Sequence, residues 1–348
     1  MKRRAFTKAG LAGVAGALAC ALPPAAAQAR PYRIYMILFR GETAVEHGFR
    51  DYFAVHGIPV ELIVRDVALD VGKVPELVAE ARAMKVDLIY TWGTPVTLAV
   101  VGKEGAVDPS RHVTDIPVVF TMVASPVGAG LVKSLASPAG PGQAKSPASS
   151  GRNLTGASHV VPASQQFSAI RAYRRFDRIA IIYNPAEPNS VQNVKDLRAL
   201  AATERFQLIE RPVPLDDKGQ PIASALPGMV AELSSLAVQL LYIGPDSFLG
   251  ANRKALTEAA LLRRLPTFSA TEIPLREGKA LFGLVSGYEN VGRLTAFKAE
   301  QILRGKVKPA AIPIETLARF SYLVNMSVAA QLDLYPPLKV INYAEVLK

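Results

Sequence analysis

The sequence predicts an α/β protein with two Rossmann-like lobes, each built around its own parallel sheet. Three observations support this fold class. Short apolar segments alternate with segments of helical period, the apolar segments lack the polar alternation of half-exposed strands, and the pattern restarts after a break rich in Pro, Gly, Ser and Ala at 136–151. Strands that alternate with helices are typical of parallel sheets covered on both faces. A chain of 348 residues is also long enough to form two hydrophobic cores.

Each element follows from its local pattern of apolar residues. The strands of the first half are expected at 32–39, 60–64, 87–91 and 116–121, and its helices at 43–56, 74–84 and 95–101. The strands of the second half are expected at 178–183, 206–211, 238–243, 266–269 and 280–285, and its helices at 191–203, 229–236, 252–264 and 290–303. The segment 136–151 cannot pack and is expected to be a surface loop.

Residues 1–29 are expected to be a cleavable export signal. Four basic residues within 1–8 precede an uninterrupted run of small apolar residues at 9–22, and Ala27-Gln28-Ala29 fits a cleavage site. The Arg3-Arg4 pair is similar to the twin-arginine type of signal. Cleavage near Ala29 would release the protein into the periplasm.

The composition excludes several classes of protein. The formal charge of +11 falls to +7 without the four basic residues of the signal, and this excess is spread along the chain, so no nucleic-acid site is expected. After the N-terminus no apolar run is long enough for a membrane-spanning helix. Cys20 is the only cysteine, which excludes a disulfide framework or a cysteine-based zinc site. Lipidation of Cys20 stays an alternative to cleavage near Ala29, although Ala17 stands where a lipoprotein signal favours a larger residue.

The sequence predicts a binding protein and not an enzyme. Phosphate-binding glycine motifs, a GxSxG nucleophile motif and an HExxH metal motif are all missing, and no metal or cofactor is expected. His159 is isolated in a strand-like stretch, where a structural role is the commoner one. Glu187 and Asp246 could form an acid–base pair, but nothing supplies a nucleophile beside them.

Polar residues follow the predicted strands, where open parallel sheets bind their ligands. Thr94 suits a helix N-cap and Pro95 the first helical position. Two aromatic residues in these junctions could stack on a ligand or fill their own lobe, and the polar residues could equally be ordinary caps and turns. The candidate contacts for a small polar or anionic ligand are Trp92, Thr94, Pro95, Ser125, Asn184, Glu187, Asn189, Ser190, Asp246 and Tyr288.

At these junctions the chain resembles the substrate-binding proteins of ABC transporters, which have the type 1 periplasmic-binding (venus-flytrap) fold, and in particular the tryptophan- and phenylalanine-binding members. The resemblance is carried by DLIYTWGTPVTLAV, DIPVVFTMVASPVGAGLVKSL, NLTGAS, RIAIIYNPAEPNSV, LLYIGPDS and ILRGKVKPAAIPIETL, which together span most of 86–325. Two positions depart from the family pattern: Ser125 stands where an Asp is frequent, and the acidic residue near Gly287 is shifted to Glu289.

The resemblance implies three crossings between the lobes, near Thr155, Ser286 and Pro313. Lobe one would comprise 30–155 and 286–311, and lobe two 156–285 and 312–348. The implied function is an extracytoplasmic solute-binding component that delivers an amino-acid-like or aromatic ligand to an ABC permease, as a monomer and without chemistry of its own. A sensor module that presents its solute to a membrane receptor is the alternative. A carboxylate or similar anion of the ligand is expected at the helix N-termini of Thr94 and Ser190, with Trp92 or Tyr288 against an apolar or aromatic part.

Overall fold

The computed structural model describes residues 30–133 and 150–348. The expected export signal and nearly all of the expected loop at 136–151 lie outside the described residues. Within residues 31–348 the chain forms two lobes, and each lobe surrounds one β-sheet. The two predicted sheets are therefore present, one fully parallel and the other parallel except for one pair of strands.

The first lobe is built on a five-stranded, fully parallel sheet in the order β2-β1-β3-β4-β5. Its central strands are buried along their whole length, which explains their unbroken apolar sequence. The strands are β1 (Tyr32–Leu38), β2 (Val60–Asp66), β3 (Leu88–Trp92), β4 (Val118–Thr121) and β5 (Leu154–Ala157), and the helices between them are α1 (Ala44–Val55), α2 (Val74–Ala83) and α3 (Gly93–Val101).

The second lobe is built on a seven-stranded sheet in the order β12-β11-β10-β9-β8-β6-β7. All its pairs are parallel except β10 with β11. Its strands are β6 (Arg178–Tyr183), β7 (Gln207–Pro212), β8 (Leu240–Ile243), β9 (Thr267–Ser269), β10 (Phe282–Val285), β11 (Ser321–Asn325) and β12 (Glu345–Leu347). Its helices are α4 (Ala163–Tyr173), α5 (Pro188–Glu204), α6 (Leu226–Ser235), α7 (Ser247–Ala251), α8 (Arg253–Leu262), α9 (Ile273–Arg276), α11 (Met326–Leu332) and α12 (Leu338–Ile341).

Helix α10 (Tyr288–Leu303) follows a strand of the second sheet but packs against α1 of the first lobe. Two glycines allow this close approach. A Cβ atom on Gly292 would lie 1.9 Å from the carbonyl oxygen of Val45, and one on Gly48 would lie 2.0 Å from that of Glu289. The chain therefore leaves the second lobe after β10, adds a helix to the first lobe and returns for β11. The lobe boundaries expected at 155, 286 and 311 stay a prediction.

Several predicted elements differ from the structure at their ends. Helix α5 begins at Pro188 and α10 at Tyr288, so Asn189, Ser190 and Tyr288 lie in first helical turns instead of preceding loops. The N-cap of α3 is Trp92 and not Thr94, because Gly93 turns the chain with a φ of +79° and the helix starts there. The short strands β5, β11 and β12 and the helices α4, α7, α9, α11 and α12 had no counterpart in the sequence prediction. Among the described residues no helix has the length and apolar character needed to cross a membrane.

Candidate functional site

The strand-to-helix junctions of the two lobes face a shared crevice that contains two adjoining cavities. The inner pocket is small, at about 20 Å³, which is room for little more than one water molecule. Side chains from both lobes line it, among them Arg40, Trp92, His159, Asn189, Asp246 and Tyr288. The junction residues of the two halves therefore converge on one place.

The outer cleft adjoins the inner pocket at Ser247, which lines both cavities. Its volume of about 500 Å³ falls within the range of ligand pockets for small molecules. Lobe one contributes Phe39 and Leu98 to its walls and lobe two contributes Phe248, so much of its surface is apolar. The outer cleft could accept the apolar body of a ligand.

The lobes touch each other across the crevice. Nη1 of Arg40 in lobe one donates a hydrogen bond of 3.3 Å to the carbonyl oxygen of Ser247 in lobe two. Gly250 lies against the same guanidinium, since a Cβ atom there would be 2.5 Å from Nη1. At another point Gly128 approaches the side chain of Gln192 on α5. The two lobes are therefore in direct contact across the crevice.

The polar residues predicted in lobe two are brought together, but they mainly bind one another. The carboxylate of Asp246 accepts hydrogen bonds from the backbone N–H of Asn184 (2.7 Å), the hydroxyl of Ser190 (2.8 Å) and the backbone N–H of Leu249 (2.9 Å). Asp246 is thereby the N-cap of α7 and also fixes the start of α5. The hydroxyl of Ser190, expected to bind an anionic ligand, already faces a carboxylate of the protein.

Glu187 forms a second buried acidic position beside Asp246. Its carboxyl oxygens accept hydrogen bonds from the backbone N–H (2.8 Å) and the hydroxyl (2.7 Å) of Ser247. Burial and the neighbouring Asp246 raise the pKa of Glu187 to about 8, so its carboxyl is mainly protonated at neutral pH. Burial also raises the pKa of Asp246. Glu187 therefore binds its proton more tightly in the folded protein than in the unfolded chain. As a result, the free energy of unfolding falls as pH rises from about 4.5 to 8.

Four buried side-chain atoms around the inner pocket have no hydrogen-bond partner in the described part of the chain. They are Nε of Arg40, Nε1 of Trp92, Nδ1 of His159 and Oδ1 of Asn189. Buried polar atoms are nearly always hydrogen-bonded in proteins, and each unpaired one costs about 1–3 kcal/mol. A polar ligand that reaches the inner pocket would satisfy them.

The ten predicted contacts therefore fall into four groups. Trp92, Asn189, Asp246 and Tyr288 line the inner pocket, and Thr94, Pro95, Asn184 and Glu187 line the outer cleft. Ser190 lies behind Asp246. Ser125 lines neither of these two cavities, and its hydroxyl accepts a hydrogen bond from the backbone N–H of Gly128 within a turn.

Two further residues line the inner pocket: Arg40, which was not among the predicted contacts, and His159, for which a structural role was predicted. Arg40 comes two residues after the end of β1, so the rule that drew attention to the other strand ends could have found it. His159 is buried at the inner pocket, where burial and the charge of Arg40 lower its pKa to about 3. Its ring is therefore neutral at physiological pH. In residues 30–133 and 150–348 no group of three or more His, Cys, Asp or Glu side chains is arranged to hold a metal ion.

Comparison with known proteins identifies relatives of this architecture. The tyrosine-binding protein of Clostridioides difficile (strain R20291) is 23% identical over 290 residues, which are 83% of this chain and 74% of that protein. The crystal structure of the ABC domain from Streptococcus pneumonia in complex with L-Trp matches with a TM-score of 0.76 and 22% identity, over 91% of this chain and all of that one. The ligand-free, open structure of a substrate-binding protein with adhesive properties from Clostridium difficile has a TM-score of 0.65 and 21% identity, over 91% and 99% of the two chains.

These relatives are solute-binding proteins and not enzymes, and the solved structures confirm the type 1 periplasmic-binding fold that the sequence predicted. The family model described as ABC transporter substrate binding protein matches residues 69–348, which is most of the chain and includes every predicted contact. The chain belongs to the ABC transporter substrate-binding protein family.

Proposed function

We propose that this protein is the extracytoplasmic solute-binding component of an ABC importer and that it binds an aromatic or amino-acid-like solute in the crevice between its lobes. The observation that carries the proposal is the pairing of a polar inner pocket with an apolar outer cleft, both lined from the two lobes. A solute with a charged head group and an apolar side chain matches this pairing. The tyrosine-binding relative and the L-Trp complex support the same class of ligand.

Closure of the lobes supplies the mechanism. A solute that contacts both lobes binds the closed form better than the open form, and this difference in affinity shifts the population toward closure. The contact between Arg40 and Ser247 spans the crevice at the same place, so closure and solute binding involve the same residues. The closed form would then dock on a membrane permease and release its solute there.

The proposed contacts come from both lobes. Trp92 and Tyr288 would present aromatic surface at the inner pocket, and Asn189 would offer its free amide oxygen there. Thr94 and Pro95 would contact the solute from the lobe-one side of the outer cleft. Asn184, Ser190 and Asp246 would hold the lobe-two junctions in place, since Asn184 and Ser190 donate to the carboxylate of Asp246. Glu187 would do so through its hydrogen bonds from Ser247.

We also propose that the protein acts in the periplasm. The basic start and the apolar run of residues 1–29 support export by the twin-arginine route, cleavage near Ala29 and a periplasmic location. Replacing both Arg3 and Arg4 by Lys would keep the charge and remove the arginine pair. We expect that variant to stay in the cytoplasm as the longer precursor, and normal export of the variant would reject this route.

A ligand screen tests the function. Native mass spectrometry of protein purified from its source would reveal a co-purified solute, and a thermal-shift screen of amino acids, purines and aromatic acids would rank candidates for calorimetry. We expect an aromatic or amino-acid-like solute to raise the melting temperature and to bind with saturation in calorimetry. At 100 times its Kd such a solute stabilises the folded form by about 2.7 kcal/mol. Failure of every solute to raise the melting temperature, or chemical turnover of the bound solute, would contradict the proposal.

A further inference from the structure

Arg40 provides a partly buried positive charge that lines the inner pocket and forms no ion pair among the described residues. Its guanidinium carbon lies 4.7 Å from the centroid of the Trp92 ring, and its Nε is buried without a hydrogen-bond partner. The bond from Nη1 to the carbonyl oxygen of Ser247 is long, at 3.3 Å. Within residues 30–133 and 150–348 no carboxylate forms an ion pair with Arg40.

Two acidic neighbours, Glu277 and Glu187, favour the charged form of Arg40, but among the described residues neither forms an ion pair with it. Burial lowers the pKa of Arg40, but an arginine side chain keeps its proton in proteins. Burial and the charge of Arg40 lower the pKa of His159 to about 3, so its ring carries no charge at neutral pH, and burial raises the pKa of Glu187. The carboxylate oxygens of Asp246 already accept hydrogen bonds from three donors of lobe two. A buried charge without a partner is unfavourable, so an anion that reached Arg40 would be strongly held.

The other unpartnered atoms of the inner pocket have defined roles. Nε1 of Trp92 can only donate a hydrogen bond. The amide of Asn189 is oriented by the 2.8 Å bond from its Nδ2 to the carbonyl oxygen of Pro245, which leaves Oδ1 as an acceptor toward the pocket. Lobe one therefore offers two donors, one of them charged, and lobe two offers an acceptor.

From this arrangement we infer that Arg40 determines the ligand class, by binding the carboxylate of the solute together with the indole N–H of Trp92. The solute is then an organic carboxylate. Because the inner pocket has room for little more than one water molecule, only the polar head group of the solute would reach it, and the apolar body would lie in the outer cleft, which shares Ser247 with the inner pocket. An amino or hydroxyl group beside the carboxylate would donate to Oδ1 of Asn189. This inference rests on the proposed function, because it concerns the same crevice.

The test compares a carboxylate with its neutral amide. Calorimetry would measure L-tyrosine and L-tyrosinamide against the wild type, Arg40→Gln and Trp92→Phe, with D-ribose as a neutral solute. The matched control is Arg65→Gln, because Arg65 also lies over an aromatic ring, that of Tyr35, but pairs with Glu80 away from the crevice. Thermal unfolding of each variant without solute would show that it is folded.

We expect the wild type to bind L-tyrosine at least ten times more tightly than L-tyrosinamide. Arg40→Gln should weaken L-tyrosine by about 10- to 100-fold, as for a lost hydrogen bond to a charged group, and should leave L-tyrosinamide unchanged. Trp92→Phe should weaken L-tyrosine by about 3- to 10-fold, and Arg65→Gln should change neither solute. A merely structural role for Arg40 would weaken the acid and the amide equally.

The results that overturn the inference differ from those that overturn the proposed function. Equal affinity of the wild type for the acid and the amide, unchanged binding by Arg40→Gln, or binding of D-ribose but not L-tyrosine would overturn the role of Arg40 while the protein stays a solute-binding protein. Absence of binding by any solute in the wider thermal-shift screen would overturn the proposed function, and this inference with it.

Discussion

Replacement of Asp246 by Ala tests whether this carboxylate supports the fold or binds the solute directly. The substitution removes the acceptor of three buried donors: the backbone N–H groups of Asn184 and Leu249 and the hydroxyl of Ser190. Each buried donor left unpaired costs about 1–3 kcal/mol. Relief of the buried charge offsets part of this sum, so we expect a loss of about 3 kcal/mol in the free energy of unfolding.

Urea unfolding without added solute, followed by circular dichroism, would measure this loss. Asp70→Ala is the matched control, because Asp70 also caps a helical turn by accepting a backbone N–H, from Gly72, but does so at an exposed position. We expect its cost to stay below about 1 kcal/mol. Unfolding of Asp246→Ala at the wild-type midpoint, together with loss of solute affinity, would refute the reasoning and make Asp246 a direct contact.

The remaining predictions concern pH, helix packing and fluorescence. Glu187→Gln should gain stability relative to the wild type as pH rises from 5 to 8, because it removes a carboxyl whose pKa is raised to about 8; a difference in unfolding free energy that is constant with pH would contradict this. Gly292→Ala should lower the free energy of unfolding by about 1–3 kcal/mol, because the new Cβ would meet the backbone of α1. The control Gly228→Ala, whose Cβ would have no atom within 4 Å, should raise it by up to about 1 kcal/mol. Equal urea midpoints for the two variants would contradict the packing argument. Trp92 is the only tryptophan and lines the inner pocket, so binding of a solute that has no indole ring of its own should change the tryptophan fluorescence. Saturable binding in calorimetry without a change in fluorescence would argue against this site.

Most of the central strands could be predicted because their pattern is local. The segments at 87–91 and 238–243 are apolar without interruption, and they form the buried strands β3 and β8. The strand β5 was missed because it has four residues and includes Gly156, whose lack of a side chain lets the ring of Phe120 approach. Such a contact across strands leaves no periodic signal in the sequence.

Most of the residues that line the crevice could be predicted from the sequence, but their hydrogen-bond partners could not. Strand ends identify the residues that reach the crevice, and eight of the ten expected residues line one of its two cavities. The hydrogen bonds of those residues join segments about 60 positions apart in the sequence, as in the bonds that Asp246 accepts from Asn184 and Ser190. The sequence alone could not show that these groups satisfy each other while Arg40 and Trp92 keep unpaired donors.

Alternating apolar segments determined, from the sequence by itself, the α/β fold with two sheets, and the residues at the strand ends indicated which side chains reach the crevice. Hydrophobic periodicity acts over a few residues, so it can be read along the chain. The family resemblance already assigned 286–311 to lobe one, and only the tertiary structure decided how closely α10 approaches α1 and that Arg40 lies over Trp92 at the inner pocket. Those features arise from close backbone approach and from hydrogen bonding between distant segments, which the order of residues does not reveal.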